Sequence, residues 1–218
     1  MNAIIFDLDG TLVDSAPDIH AASERLLIQL GYSPLSLETI ISFIGNGVPK
    51  LVERMMQARG LHAEHEAQDL VAQFMRHYAA AATEKTTLYP HVIPALEALK
   101  GAGIALGVCT NKPQAPTHAV LKAFGLTKYF DVVIGGDTMP VKKPDPAPLQ
   151  RAFEDLQATR KLYIGDSDVD TQTAERAGVP FALFTEGYRK SDISDLPHAY
   201  RFDDFSTLES IANVHFGI

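Results

Sequence analysis

The sequence predicts an α/β fold: a Rossmann-like, mostly parallel sheet core with a small all-helical domain inserted after the first strand. Three features point to it. Short apolar runs rich in branched residues recur along the chain without clean polar alternation, as in strands covered on both faces. Amphipathic stretches separate them, and that spacing requires crossovers between parallel strands. One long interval, residues 15–87, carries no strand pattern at all.

The first run, residues 3–6, is Ala-Ile-Ile-Phe and reads as a buried strand. In the interval that follows, Ser15 can cap a helix with Pro17 in its first turn, and Ile19, Ala22, Leu26, Leu27 and Leu30 keep the helical period. Residues 35–43, 48–57 and 65–82 read the same way. The interval is several times longer than the dozen or so residues one crossover needs. The expected division is therefore a core of residues 1–14 and 88–218 and a helical domain of residues 15–87, hinged near 12–16 and 86–90. Beyond it, strands at 104–109, 131–134, 161–164 and 181–184 alternate with helices at 92–102, 114–124, 146–156 and 169–177. Gly101 and Gly103, Gly125, and Gly178 with Pro180 supply stop signals. A last helix, 205–214, is expected to pack on the sheet.

Composition narrows the function. Hydrophobic residues make up 46% and charged residues 21%, an ordinary globular balance that excludes wholesale disorder. The net charge of -8 argues against nucleic acid or an anionic membrane as partner. The single cysteine, Cys109, rules out an internal disulfide and a multi-cysteine metal site. It lies in a strand and is expected to face the core. No apolar run approaches 20 residues, and the opening residues lead straight into acidic ones, unlike a signal peptide. A soluble, cytoplasmic monomer or homodimer is expected. No Gly-x-x-x-x-Gly-Lys-Ser/Thr loop follows a strand, which disfavours a nucleotide-dependent kinase.

Ligands of open parallel sheets bind beyond the carboxyl ends of the strands. Here the first strand opens into Asp7-Leu8-Asp9-Gly10-Thr11, the second into Thr110-Asn111-Lys112, and the fourth into Gly165-Asp166-Ser167-Asp168-Val169-Asp170. The third runs through Gly135-Gly136-Asp137 to Lys142-Lys143-Pro144. Gathered carboxylates repel one another unless a cation sits among them. Asp7 and Asp166 are candidate oxygen ligands, and Mg2+ suits few carboxylates plus water and a substrate phosphate. Zinc would want imidazole or thiolate.

The chemistry implied is phosphoryl transfer from a small-molecule phosphate ester to a carboxylate, with the ester's alkoxide leaving. Asp7, first after a rigid strand, suits the nucleophile. Asp9, two residues on, suits a group that protonates the leaving alkoxide and then activates water. Thr11 can orient Asp9 or cap the turn. Thr110 offers a hydroxyl and nearby N–H groups to an anion, and Asn111 can position the phosphate or the rest of the substrate. One loop lysine supplies compensating charge; composition does not choose between Lys142 and Lys143. Lys112 reads as surface. Asp170 can support a metal-bound water or tether the lysine.

At these residues the chain resembles the haloacid dehalogenase superfamily of phosphatases. The Asp-x-Asp-Gly-Thr-Leu-Val-Asp-Ser opening matches residues 7–15. Thr110 matches the second motif, Lys143-Pro144 the third, and Gly-Asp-Ser-x-x-Asp, residues 165–170, the fourth. The resemblance implies a haloacid dehalogenase-like fold with Asp7 as nucleophile and Asp9 as acid/base. It implies Mg2+ on Asp7, Asp166 and the main-chain carbonyl of Asp9, with Lys143 rather than Lys142 balancing the phosphate. Asp170 and Thr11 would then be supporting residues, and the helical insert a substrate-covering cap. Dehalogenating members lack the second aspartate, and phosphonate-cleaving members need a cap lysine for which Lys50 is a poor match. Residues 12–17, 43–47, 110–113 and 135–149 are similar to members acting on 2-phosphoglycolate. That implies Mg2+-dependent hydrolysis of a small phosphate monoester through an aspartyl-phosphate, with the backbone of Gly45 and Gly47, and Asn46, meeting the glycolate carboxylate. The loop Glu186-Gly187-Tyr188-Arg189-Lys190 departs from the family's pattern. The alternative expectation is a broad-specificity phosphatase of the same superfamily acting on sugar phosphates or nucleotides.

Overall fold

The computed structural model describes residues 1–60, 67–81 and 83–218. Its frame is a six-stranded sheet. β1 (Asn2–Phe6) is flanked by β4 (Ala105–Cys109) and β6 (Arg160–Gly165). β5 (Val132–Ile134) closes one side; β7 (Phe181–Phe184) and β8 (Tyr200–Phe202) extend the other. Every pairing in this sheet is parallel. Alternate residues of the strands face different cores. Ile4, Phe6, Leu106, Val108, Leu162 and Ile164 pack with α5 (Val92–Gly101), α6 (Gln114–Ala123) and α9 (Leu208–Phe216). Ala3, Ile5, Cys109 and Tyr163 pack on the other face with α7 (Ala147–Asp155) and α8 (Asp168–Ala177). The result is three layers, which is why these strands read as unbroken apolar runs.

Between β1 and α5 lie four helices: α1 (Ala16–Gln29), α2 (Leu37–Phe43), α3 (Val48–Arg59) and α4 (Ala67–Ala79). They bury their own apolar cluster, including Leu26, Leu27, Ile40, Val52, Met55, Leu70 and Phe74. Among the described residues only Tyr188 enters that cluster from the core side. The predicted ends of the fourth helix, 65 and 82, fall outside the described residues. The chain leaves and re-enters the core through a short antiparallel pair, β2 (Val13–Asp14) with β3 (Thr87–Leu88). Buried Asp18 ties the two crossings together by accepting from Thr86 Oγ1 at 2.6 Å and from Thr86 N at 2.8 Å.

Three local expectations differ. Ser15 sits at the N-cap of α1 but makes no side-chain cap bond; its hydroxyl is committed to Asp9 instead. The Ala16 N–H is met by Tyr188 Oη at 2.9 Å. The last predicted helix splits into a 3-10 turn, Phe205–Thr207, and α9, which runs to Phe216. β8, β2 and β3 carry no predicted counterpart. Among the described residues no helix is long and apolar enough to cross a membrane.

Candidate active site

The carboxyl ends of β1, β4 and β6 and the loop after β5 converge as the strand order requires. Asp7 continues the β1 ladder, its N–H donating to Ile164 O at 2.9 Å. The chain then turns tightly, with Gly10 N–H donating to Val13 O and Thr11 N–H to Leu8 O. Gly10 has φ +86°, and a Cβ there would lie 2.5 Å from Asp166 Oδ2. Glycine is thus required both by conformation and by the approach of the acid. α8 opens with a reciprocal cap: Ser167 Oγ accepts from Asp170 N–H, and the Asp170 carboxylate accepts from Ser167 N–H. That cap turns Asp170 inward, toward Asp7 and Asp166.

Asp7, Asp166 and Asp170 are buried and can present one oxygen each within 4.8 Å of one another. Lys143 stands beside them. Its Nζ donates to Asp170 Oδ1 at 2.7 Å and to Tyr163 Oη at 2.8 Å, and lies 2.9 Å from Asp7 Oδ1. The last is an ion-pair contact without hydrogen-bond alignment, since Asp7 Oδ1 has no hydrogen-bond partner among the described residues. Asp166 accepts from Thr11 Oγ1 at 2.7 Å and from Tyr188 N–H at 2.6 Å. Thr11 therefore orients Asp166, not Asp9.

The electrostatics divide the three acids. Burial pushes Asp7 up to about 6, against the pull of Lys143 and with further push from Asp170 and Asp9. Burial and then the charges of Asp170 and Asp7 hold Asp166 well above the usual carboxylate range. Burial acts on Asp170 too, but Lys143, Ser167 and Tyr163 outweigh it and keep it low. Asp170 is thus already paired, while Asp7 and Asp166 are buried carboxylates short of positive charge. A hard divalent cation between those two would relieve both burial and repulsion. The donor set of Asp7, Asp166 and Asp170 is all oxygen, which fits such a cation.

Asp9 faces the same cleft from the next position. Its Oδ1 accepts from Ser15 Oγ at 2.6 Å and from Lys112 Nζ at 2.8 Å. Lys112, expected on the surface, is only 6% exposed. Its Nζ also donates to Tyr78 Oη at 2.5 Å, from α4. Thr110 lines the cleft beside Asp7 and Asp9, with three residues between it and α6. Asn111 Nδ2 clamps two loops, donating to Gly45 O and to Lys143 O, each at 2.9 Å. Gly45 and Gly47 line the cleft; the Asn46 side chain instead accepts from Arg54 Nη2 at 2.9 Å. Asp137 caps α6, accepting from Gln114 N–H at 2.7 Å, and Cys109 is wholly buried. Sequence reasoning missed Lys112, Tyr163, Tyr188, Ser15 and Tyr78. Lys112 stands at the same sheet edge as Thr110, and that placement was the signal available for it.

Fold and site together define the class: a phosphoryl-transfer hydrolase of α/β architecture, built on a buried carboxylate cluster at the edge of a parallel sheet. The sequence profile of haloacid dehalogenase-like hydrolases matches residues 4–184, and the chain belongs to that family. It is 48% identical over 212 residues to a phosphoglycolate phosphatase of Cereibacter sphaeroides, covering 97% of each chain. It is 39% identical over 213 residues to a phosphoglycolate phosphatase of Rhodospirillum rubrum, covering 94% of this chain and 88% of that one. The crystal structure of a predicted phosphoglycolate phosphatase from Haemophilus somnus superposes with a TM-score of 0.90 at 33% identity, covering 97% of both chains.

Proposed function

We propose that the protein hydrolyses 2-phosphoglycolate to glycolate and phosphate with Mg2+ as cofactor. The observation that carries this reading is the pair Asp7 and Asp9 at one sheet edge, facing a cleft walled by the helical insert. The relatives of matching length support the substrate.

An Asp7 carboxylate oxygen attacks phosphorus, and the bond to the glycolate oxygen breaks. Asp9 gives that oxygen its proton, so glycolate leaves neutral at the hydroxyl. Asp9 then takes a proton from water, the water oxygen bonds to phosphorus, and the Asp7–phosphorus bond breaks, returning the carboxylate. Lys143 and Thr110 meet the charge on the phosphoryl oxygens. Asp7, Asp166 and the Asp9 carbonyl would hold Mg2+, which when bound supplies charge neutralisation to the phosphoryl group. Asp170 holds Lys143, and Thr11 holds Asp166. Residues 15–87 act as a cap domain that covers the ester and excludes competing water. Gly45 and Gly47 bring backbone close to the leaving group.

A second reading, a phosphatase of broad specificity for sugar phosphates or nucleotides, is favoured by the apolar cap wall, which can hold a leaving group without reading it. The two are separated by Mg2+-dependent phosphate release across a panel of phosphate monoesters. A preference in kcat/KM of about a hundredfold for 2-phosphoglycolate, about 2.7 kcal/mol in the transition state, is expected. A flat profile would overturn the glycolate reading and leave the Asp7/Asp9 chemistry standing.

A further inference from the structure

The cleft has two unlike walls. Ile19, Ile44, Val48, Leu51, Phe74 and Met75 of the helical insert make one apolar side. The core supplies Asp7, Asp9, Thr110, Asn111 and Lys112 opposite. A carboxylate entering an apolar cleft is costly unless a cation meets it. Lys143 is taken up by Asp7 and Asp170. Arg54 is spent on Phe43 O and Asn46 Oδ1. Among the described residues lining this cleft Lys112 is the cation, set into the floor with its side chain only 4% exposed. Burial works against its charge, but Asp9 and Tyr78 outweigh burial and hold its pKa up.

Position matters as much as charge. In 2-phosphoglycolate the carboxylate hangs on the carbon that bears the ester oxygen. The group that reads it must therefore stand next to the group that protonates that oxygen. Lys112 Nζ lies 2.8 Å from Asp9 Oδ1 and 3.2 Å from Asp9 Oδ2. Tyr78 completes the corner: its hydroxyl is 2.5 Å from Nζ, and Nζ lies 4.7 Å from its ring centroid. Tyr78 in turn stacks on Phe74, with ring centroids 6.0 Å apart.

We propose that Lys112 Nζ and the Tyr78 hydroxyl together receive the carboxylate of the leaving group. Lys112 is then the specificity-determining residue, one half of a receptor whose other half is carried by α4. This rests on the phosphoglycolate reading and refines it: the carboxylate is met at Lys112 rather than at Asn46. The three N–H groups of the ammonium meet Asp9 Oδ1, Asp9 Oδ2 and the Tyr78 hydroxyl here, and the carboxylate takes the place of the longest of these contacts, that to Asp9 Oδ2 at 3.2 Å.

The test compares 2-phosphoglycolate with its neutral counterpart, 2-hydroxyethyl phosphate, in wild type, Lys112→Met, Lys112→Arg, Tyr78→Phe, Asn46→Ala and Lys142→Met. In Lys112→Met the preference for the acid over the neutral ester should collapse by about a hundredfold, as when a site loses the partner of a substrate polar group. Lys112→Arg should restore part of it, and Tyr78→Phe, which removes one hydrogen-bond partner of Lys112 and keeps its charge, should lose a smaller share. Asn46→Ala and Lys142→Met should keep the preference. Equal losses on both esters in Lys112→Met would mean that Lys112 serves only Asp9, and would overturn the assignment. So would a preference lost in Asn46→Ala or Lys142→Met while Lys112→Met keeps it. A wild type without the preference would overturn the substrate reading and this assignment together; a wild-type preference that survives Lys112→Met overturns this assignment alone. Should Lys112→Met fail to fold, Lys112→Arg and Tyr78→Phe decide: both keeping the full preference overturns it.

Discussion

Asp7 and Asp9 stand two residues apart, yet the turn between them gives them different company. Asp7 meets Lys143 and the other buried acids, while Asp9 meets Ser15 and Lys112. Asp7→Asn keeps the shape and removes the nucleophile. Turnover should fall by more than about a thousandfold with the melting temperature held or raised, because one like charge leaves the cluster; steady-state kinetics beside a thermal melt decides it. Lys143 and Lys142, indistinguishable by composition, differ sharply in place. Lys143→Ala leaves Asp7 and Asp170 buried without their cation, at a cost of about 3–5 kcal/mol. Lys142→Ala should stay within about 0.5 kcal/mol. Urea unfolding in EDTA measures both, and equal losses would sink the distinction. The aspartates were legible in the sequence because strand ends announce themselves. The partners were not: which hydroxyl reaches Asp9, and that Lys112 is buried, depend on neighbours up to 103 residues away.

At the scale of elements, the legible pieces were those long enough to show a period. β1, β4, β6 and β7 are buried on both faces, and their apolar runs carry that fact. β8 has three residues, and β2 and β3 two each, too short for any periodicity, so only pairing reveals them. The start of α8 shows how an element serves chemistry. Ser167 Oγ donates to Asp170 Oδ2 at 2.6 Å while accepting from Asp170 N–H. Ser167→Ala should cost about 1 kcal/mol of helix capping, and a drop of about 2–4 °C in melting temperature, read by calorimetry. No loss would mean that the rest of α8 holds Asp170 in place without the cap.

The whole molecule stores like charge where it acts. Asp7 has a folded pKa of about 6, above its ordinary value, so the folded state holds a proton that the unfolded chain has already released. Without metal, this group's contribution to stability falls as pH rises from about 4 to about 6. A bound divalent cation favours the ionised form and reverses that loss. The melting-temperature gain from Mg2+ should therefore be larger at pH 7 than at pH 5. Differential scanning fluorimetry with and without Mg2+ checks the sign, and an equal or opposite trend would count against Asp7 as a ligand. The sandwich of helices around one sheet and the all-helical interval were both legible, since each rests on long stretches of pattern. How the interval leans over the sheet edge was not, because Tyr78, Asn111 and Tyr188 cross that seam one at a time.

The crossing itself is narrow. Val13 pairs with Leu88 and Asp14 with Thr87, so the chain departs and returns side by side. Everything between those points is one continuous stretch of chain, and no strand of the six-stranded sheet lies inside it among the described residues. Swapping that length for another with the same two ends would take Ser15 from Asp9, keep the strand ends that carry Asp7 and Asp166, and present a different wall to the leaving group. One stretch of chain thus supplies the apolar wall of the cleft, while the reacting acids and Lys112 stay with the strand ends.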